Sequence, residues 1–353
     1  MKDIYQQLAE FLDTMPQRYP TQSESGIHCR ILKHIFTPED AETVMKLKSA
    51  PETAAEIAVR IGADPAQMEK TLYEMSQKGQ IYRTGRSGGH RYMASAFLVG
   101  IIEFQMNRMT PELARDMEEF AVLLYDQTWM KGKTRDLRTI PISESVDSAS
   151  QVMPYENAEQ VIRSAKYIAI SECMCRKLKG LTGNPCSRPS EVCFHFGSGT
   201  HYFVENGLGR YIEQAEALDI LKKGIQASLV CQMSSSQNPA AMCMCCDCCC
   251  GPLQAFKRYD KPAEMINSSF FSRVSEDDCT GCALCMDHCP LDAISVDDIA
   301  HVNPDRCIGC GVCAVACPAA AIKTFRKDKD REFIPERDIV AATMAIYRQR
   351  REE

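Results

Sequence analysis

The chain has 353 residues, is 45% apolar, carries a formal net charge of −6 and contains twenty cysteines. Its length allows two or three domains, and its negative balance argues against bulk affinity for nucleic acid or anionic membrane. Residues 1–11 lack the apolar core of a signal peptide, and the longest apolar run, residues 96–102, is too short to span a bilayer. The expectation is a cytoplasmic protein whose reduced cysteines bind metal and do not form disulfides.

Residues 1–95 predict a helical, winged-helix-like α/β unit. A short amphipathic helix over 51–61 buries Ile57, Ala58 and Ile61. Asp64 then caps a second helix, with Pro65 in its first position and Gln67 reaching back. Met68, Leu72 and Met75 mark its buried face, and Gly79 ends it. Residues 81–93 read as a hairpin turning at Ser87, Gly88 and Gly89. A winged helix suggests DNA binding, and the hairpin holds Arg83, Arg86, His90 and Arg91. The would-be recognition helix, however, carries Asp64, Glu69 and Glu74 against Lys70 and Lys78, a poor match to phosphate. The charge pattern favours protein docking or a structural role. Cys29 stands alone and reads as a buried hydrophobe.

Residues 96–136 predict linking helices, the main one over 111–128. Residues 137–265 then predict a cysteine-rich α/β domain. A helix over 157–166 leads into a buried strand at 167–170 that runs to Cys173, and a helix over 212–225 leads into a strand at 228–231. Ten cysteines lie here in two groups, with Cys231 between them. The first is Cys173, Cys175, Cys186 and Cys193; the second is Cys243, Cys245, Cys246, Cys248, Cys249 and Cys250. Buried structural cysteines occur singly, so these runs point to metal. The first group is expected to supply the ligands of a third metal centre, a [4Fe–4S] cluster or a zinc ion. The second group donates a ligand to it or holds another centre. Both are expected to converge at one end of a small open α/β sheet. Cys249-Cys250-Gly251 looks like half of the CCG motif of heterodisulfide-reductase-type subunits, but no upstream partner cysteine lies between Cys193 and Cys231. The glycines at 197, 199, 207 and 209 lack the spacing and context of a phosphate loop and read as tight turns. His195 and His201 are expected to have polar or packing roles.

Residues 266–330 carry the most specific signal. Cys279, Cys282, Cys285 and Cys289-Pro290 repeat 28 residues later as Cys307, Cys310, Cys313 and Cys317-Pro318. C-x2-C-x2-C-x3-C-P is the ligand run of a [4Fe–4S] cluster, and in two-cluster ferredoxins its last cysteine serves the other cluster. The expected sets are therefore Cys279, Cys282, Cys285 and Cys317 for one cluster, and Cys307, Cys310, Cys313 and Cys289 for the other. Paired zinc sites fit a third cysteine and a following Cys-Pro poorly. The segment resembles the bacterial two-cluster ferredoxin domain, which implies a pseudo-twofold fold. Seven of its acidic residues, Glu276, Asp277, Asp278, Asp287, Asp292, Asp297 and Asp298, form either a solvated surface or a steering field for a basic partner. Residues 331–353 end the chain in a helix over 339–350.

The assembled motifs resemble a family of cytosolic 4Fe–4S ferredoxin-type proteins of anaerobic microbes. The resembling residues are Phe36 to Ala41, Val99 to Gln105, Cys173-Met174-Cys175-Arg176, the run from Cys243 to Gly251 and the two ferredoxin motifs. The expected function is electron transfer between redox partner proteins, in an α+β multidomain chain with two [4Fe–4S] clusters and a third metal centre. No catalytic set is recognised. The alternatives are a redox-responsive DNA-binding regulator and a reductive enzyme or activator with an open iron–sulfur site in the middle domain.

Overall fold

The computed structural model describes residues 2–85, 89–131 and 135–352. Helices Ile4–Asp13, Ile27–Ile35 and Pro38–Val44 pack through Leu8, Leu12, Ile31, Leu32 and Ala41, all fully buried. Thr37 and Thr53 each close a capping box, on Asp40 and Glu56, and so start Pro38–Val44 and Ala54–Ile61 where the sequence changes from loop to periodic apolar residues. Cys29 is half-buried, not the buried hydrophobe expected: it faces Gln6, whose Oε1 accepts its thiol proton at 3.6 Å.

Helix Pro65–Gln77 follows, with the Asp64 side chain accepting from the Gln67 N–H at 2.8 Å. Strands Tyr82–Thr84 and Arg91–Met93 pair antiparallel. The turn expected at Ser87 and Gly88 lies outside the described residues, as does Arg86. The hairpin's other basic groups are engaged within the chain. Arg83 is buried, bonded to Glu205 at 3.0 Å and stacked on Tyr73. Arg91 pairs with Glu56 and His90 with Glu69. Tyr202 of the middle domain donates to the carbonyls of Ser76 and Ile81, both at 2.9 Å, and anchors the helix end and hairpin there.

The middle domain is built on a six-stranded sheet. Its order is Leu137–Thr139, Val230–Ser234, Ala241–Cys245, Glu191–Phe196, Ile168–Glu172, Gly209–Tyr211, and every neighbouring pair is antiparallel. This corrects the open α/β expectation. The strands are joined by tight returns and short helices, so ligands cannot gather at a common carboxyl edge. The cysteines instead sit within the strands and on the loops that leave them. Helices Ala158–Ser164 and Gln214–Gln226 pack on the sheet through Ala158, Val161, Ile162, Ala217 and Leu221.

The ferredoxin segment pairs Phe270–Val274 with Ile322–Arg326, and Ile294–Val296 with Ala300–Val302, both antiparallel. The sequence repeat recurs in the backbone. Helices Leu284–Asp287 and Val312–Val315 correspond, as do the positive φ angles of Gly281 (64°) and Gly309 (65°). Arg306 clamps this unit to the middle domain by donating to the carbonyls of Leu291, Tyr259 and Lys257. Helix Ile339–Glu352 returns to the N-terminal unit, where Arg350 meets Asp13 at 3.3 Å.

Candidate metal centres

Two cavities open in the ferredoxin segment. One is lined by Cys279, Cys282, Cys285 and Cys317, with Gly281 and Ala300 in its wall. The other is lined by Cys289, Cys307, Cys310 and Cys313, with Ser272, Ile294 and Gly309. Each therefore gathers three cysteines of one motif and the last cysteine of the other. Burial pushes the Cys285 thiol up, and its charged neighbours are Cys317, Cys282 and Cys279. Burial likewise raises Cys313 to about 12, beside Cys307 and Cys289. Thiols so placed lose their protons only to a metal that replaces them.

The walls fit a compact anionic group. A Cβ on Gly309 would collide with the Phe270 carbonyl, and one on Gly281 with that of Asp298. Both loops wrap so closely that only glycine fits. Backbone donors aim at the sulfurs: Ala300 N–H at Cys279 (3.3 Å), Ala293 N–H at Cys289 (3.2 Å) and Ser272 N–H at Cys307 (3.4 Å). The Cys313 thiol contacts Ser272 Oγ at 3.8 Å, and with that sulfur on a metal the serine hydroxyl becomes the donor. The Cys289–Cys313 cavity thus has more donors to sulfur than its neighbour. The cavity around Cys282 is nearer the surface. Cys282 is exposed there, with Leu284 and Met286 beside it and all seven acidic residues in solvent.

The ten middle-domain cysteines divide into two sets, but not the two read from sequence order. Cys173, Cys175, Cys250, Cys245, Cys243 and Cys193 adjoin in that order and close into a ring, each altering the proton affinity of its two neighbours. Hydrogen bonding between neighbouring thiols is the largest influence on the proton affinity of each of the six. Strand register explains the convergence. Cys193 sits opposite Cys243, and Ser171 opposite Cys193. Cys245 lies two residues beyond Cys243 on the same face, and Cys173 follows strand Ile168–Glu172 just past a register shift at Ser171. Cys175 is added by helix Met174–Leu181, and Cys250 stands at the start of Gly251–Lys257.

Cys186 is not part of this ring, which corrects the expected grouping with Cys173, Cys175 and Cys193. Its sulfur and those of Cys246, Cys248 and Cys249 all lie within 4.8 Å of one another, the only such set among the described residues. Cys246 follows Cys245 by one residue and so points to the opposite face. Cys186 follows helix Met174–Leu181 on a loop whose side of the sheet cannot be read from spacing. Cys231 belongs to neither set. Burial pushes it up to about 12 within the second apolar core.

Three groups beside the ring were not singled out from sequence. Arg176 is 5% exposed, donates to the Met244 carbonyl at 3.2 Å, and has no hydrogen-bond partner at Nε or Nη1. Burial opposes its charge, but the Cys173 and Cys246 sulfurs outweigh that and hold it protonated. An unsatisfied buried guanidinium fits an anionic metal–thiolate group next to it. Glu103 accepts from the Gly100 N–H at 2.7 Å, and burial pushes its carboxyl up to about 7. Tyr125 is enclosed with Cys175, Cys250, Glu103 and Cys245 as its charged neighbours. His195 stays outside the ring. It stacks on Phe203 and bonds Ser171 at 2.9 Å, and burial pushes it down to about 3. His201 contacts Tyr211 and Tyr167.

A 4Fe-4S binding domain family matches residues 273–295 and 300–323, one stretch over each cysteine run. No curated protein and no solved structure shows significant similarity to the chain. The chain thus carries a ferredoxin-type 4Fe-4S binding segment within a mixed α/β protein, and among the described residues no helix is long and apolar enough to cross a membrane.

Proposed function

We propose that this chain is an iron–sulfur electron-transfer protein. Cys279, Cys282, Cys285 and Cys317 hold one [4Fe–4S] cluster, Cys307, Cys310, Cys313 and Cys289 hold a second, and the six-cysteine ring holds a polynuclear metal centre. The observation that carries this reading is the pair of adjacent cavities, each lined by one crossed set of four cysteines. When bound, such clusters supply one-electron transfer at a potential set by hydrogen bonds, charge and exposure.

The chain's own residues give that transfer a direction. The exposed edge at Cys282, Leu284 and Met286, with its acidic rim, suits a basic redox partner. The donors from Ser272 and Ala293 favour the more negative, reduced state of the inner cluster, so its potential is the higher of the two. Cys310 and Ile308, which line the inner cavity, share one packed core with Cys245 and Cys250 of the ring. Electrons accepted at the acidic edge therefore pass inward to the middle domain.

An anaerobic redox titration followed by EPR tests this. The reduced protein should show two magnetically interacting [4Fe–4S] signals. Ser272→Ala should lower the midpoint of one by tens of millivolts and leave the other in place. Equal movement of both, or of neither, would contradict the assignment.

Glu103 and Tyr125 against the ring favour a second reading, in which the middle centre reduces a bound substrate. An added thiol or carbon monoxide should then change the ring's EPR signal alone. Under pure electron carriage no signal responds.

A further inference from the structure

We propose that Cys186, Cys246, Cys248 and Cys249 bind a single tetrahedral divalent ion, zinc or ferrous iron, distinct from the ring and from the ferredoxin clusters. Geometry separates this site from a cluster site. The Cys186–Cys248 and Cys248–Cys249 sulfurs are 3.7 Å and 3.6 Å apart, and all four sulfurs lie within 4.8 Å of one another. A tetrahedral ion with metal–sulfur bonds of about 2.3 Å spaces its sulfurs about 3.8 Å apart. A cubane places its four cysteine sulfurs on four separate irons and holds them much further apart. The ring shows the contrast, since no three of its sulfurs fall within the same limit.

Charge supplies a second observation. Four thiolates around a divalent ion carry a net charge of minus two. Arg176, buried and unpartnered at Nε and Nη1, adjoins Cys246 and Cys186. Arg188 lies 4.0 Å from the Cys248 sulfur while paired with Asp247 at 2.9 Å. Arg176 offsets one of those two charges, and Arg188, itself neutralised by Asp247, adds a donor beside the Cys248 sulfur.

The site has a structural consequence for the ring. Cys246, Cys248 and Cys249 occupy the loop between Cys245 and Cys250, which are both ring members. An ion bound there ties that loop to the Cys186 loop and fixes the spacing of the two ring sulfurs. Four protein ligands leave no open position, so the ion is a clasp and not a substrate site.

Full-length protein purified without oxygen tests this by metal and sulfide analysis together with X-ray absorption. We expect one ion per chain beyond the iron matched by sulfide, as zinc or as sulfide-free iron. The absorption edge of that metal should report four sulfurs at about 2.3 Å. Cys248→Ser, an exposed position, should lose most of that ion while both ferredoxin EPR signals persist. The proposal is overturned if the wild-type protein carries no such ion, if Cys248→Ser retains it, or if iron and sulfide leave together in cluster proportion. The wild-type absorption measurement stands even if the variant misfolds. Failure here leaves the ferredoxin reading intact, because that reading rests on sulfide and not on this ion.

Discussion

Cys175→Ala and Cys245→Ala should each empty the six-cysteine ring and remove about four or more irons per chain, while the two ferredoxin EPR signals remain. The two residues come from distant parts of the sequence, one on helix Met174–Leu181 and one ending strand Ala241–Cys245. Cys250 adjoins both. An equal loss from either variant would therefore report one shared centre. Loss of the centre should also destabilise the domain, because the remaining ring sulfurs would stay packed together without the group that joins them. Cys231→Ala is the control. It lies on the adjacent strand opposite Met244, is buried in an apolar core and is a member of neither set. It should cost only about 1–2 kcal/mol of packing and no iron. Iron counts that fall alike in all three variants would mean general unfolding, not loss of ligands.

Gly309→Ala should eliminate the cluster of Cys307, Cys310, Cys313 and Cys289 and leave its neighbour. Gly309 has φ of 65°, and an added methyl would run into the Phe270 carbonyl carbon and oxygen. Phe270 is fixed in the strand pair with Ile322–Arg326, so the loop must move and takes Cys307 and Cys310 with it. We expect a destabilisation of about 2–4 kcal/mol by thermal or denaturant unfolding, with the ferredoxin EPR intensity halved. Gly62→Ala makes the comparison sharp. Its φ is 73°, yet nothing lies within 4 Å of an added Cβ. It should cost about 1 kcal/mol and change no metal content.

What could be read from the sequence followed how local the determining interactions are. The two ferredoxin cavities gather the crossed sets of cysteines because their ligands lie in short loops repeated at one offset. The helix starting at Pro65 was legible from Asp64 and Gln67, whose cap contact is local. The grouping of the middle cysteines was not legible. It depends on the register that sets Cys193 opposite Cys243, and on the alternation that turns Cys246 away from Cys245. Nothing in the order of residues fixes cross-strand register before the partner strand is known. Cys186 was misplaced because it lies on a loop, whose side of the sheet spacing does not fix.

Charged groups buried at domain contacts were hidden as well. Arg83 reads as a basic wing residue, yet Glu205 and Tyr73 hold it inside the chain. Glu103 and Tyr125 gave no periodic signal. Glu103 follows a left-handed turn at Val99 (φ 53°), and Tyr125 opens an irregular helical segment, Tyr125–Trp129. The stretch Val99 to Gln105 was noticed as a motif, but only the fold puts Glu103 beside Cys243. Arg176 shares a run with Cys173 and Cys175, and its unpartnered Nε and Nη1 appear only once the fold buries it beside Met244.

Iron and acid-labile sulfide, counted per chain on full-length protein prepared without oxygen, test the central claim most directly. At least eight irons and eight sulfides should be present, with further iron assigned to the ring by its loss in Cys175→Ala. Protein that folds fully yet contains no acid-labile sulfide would contradict the account.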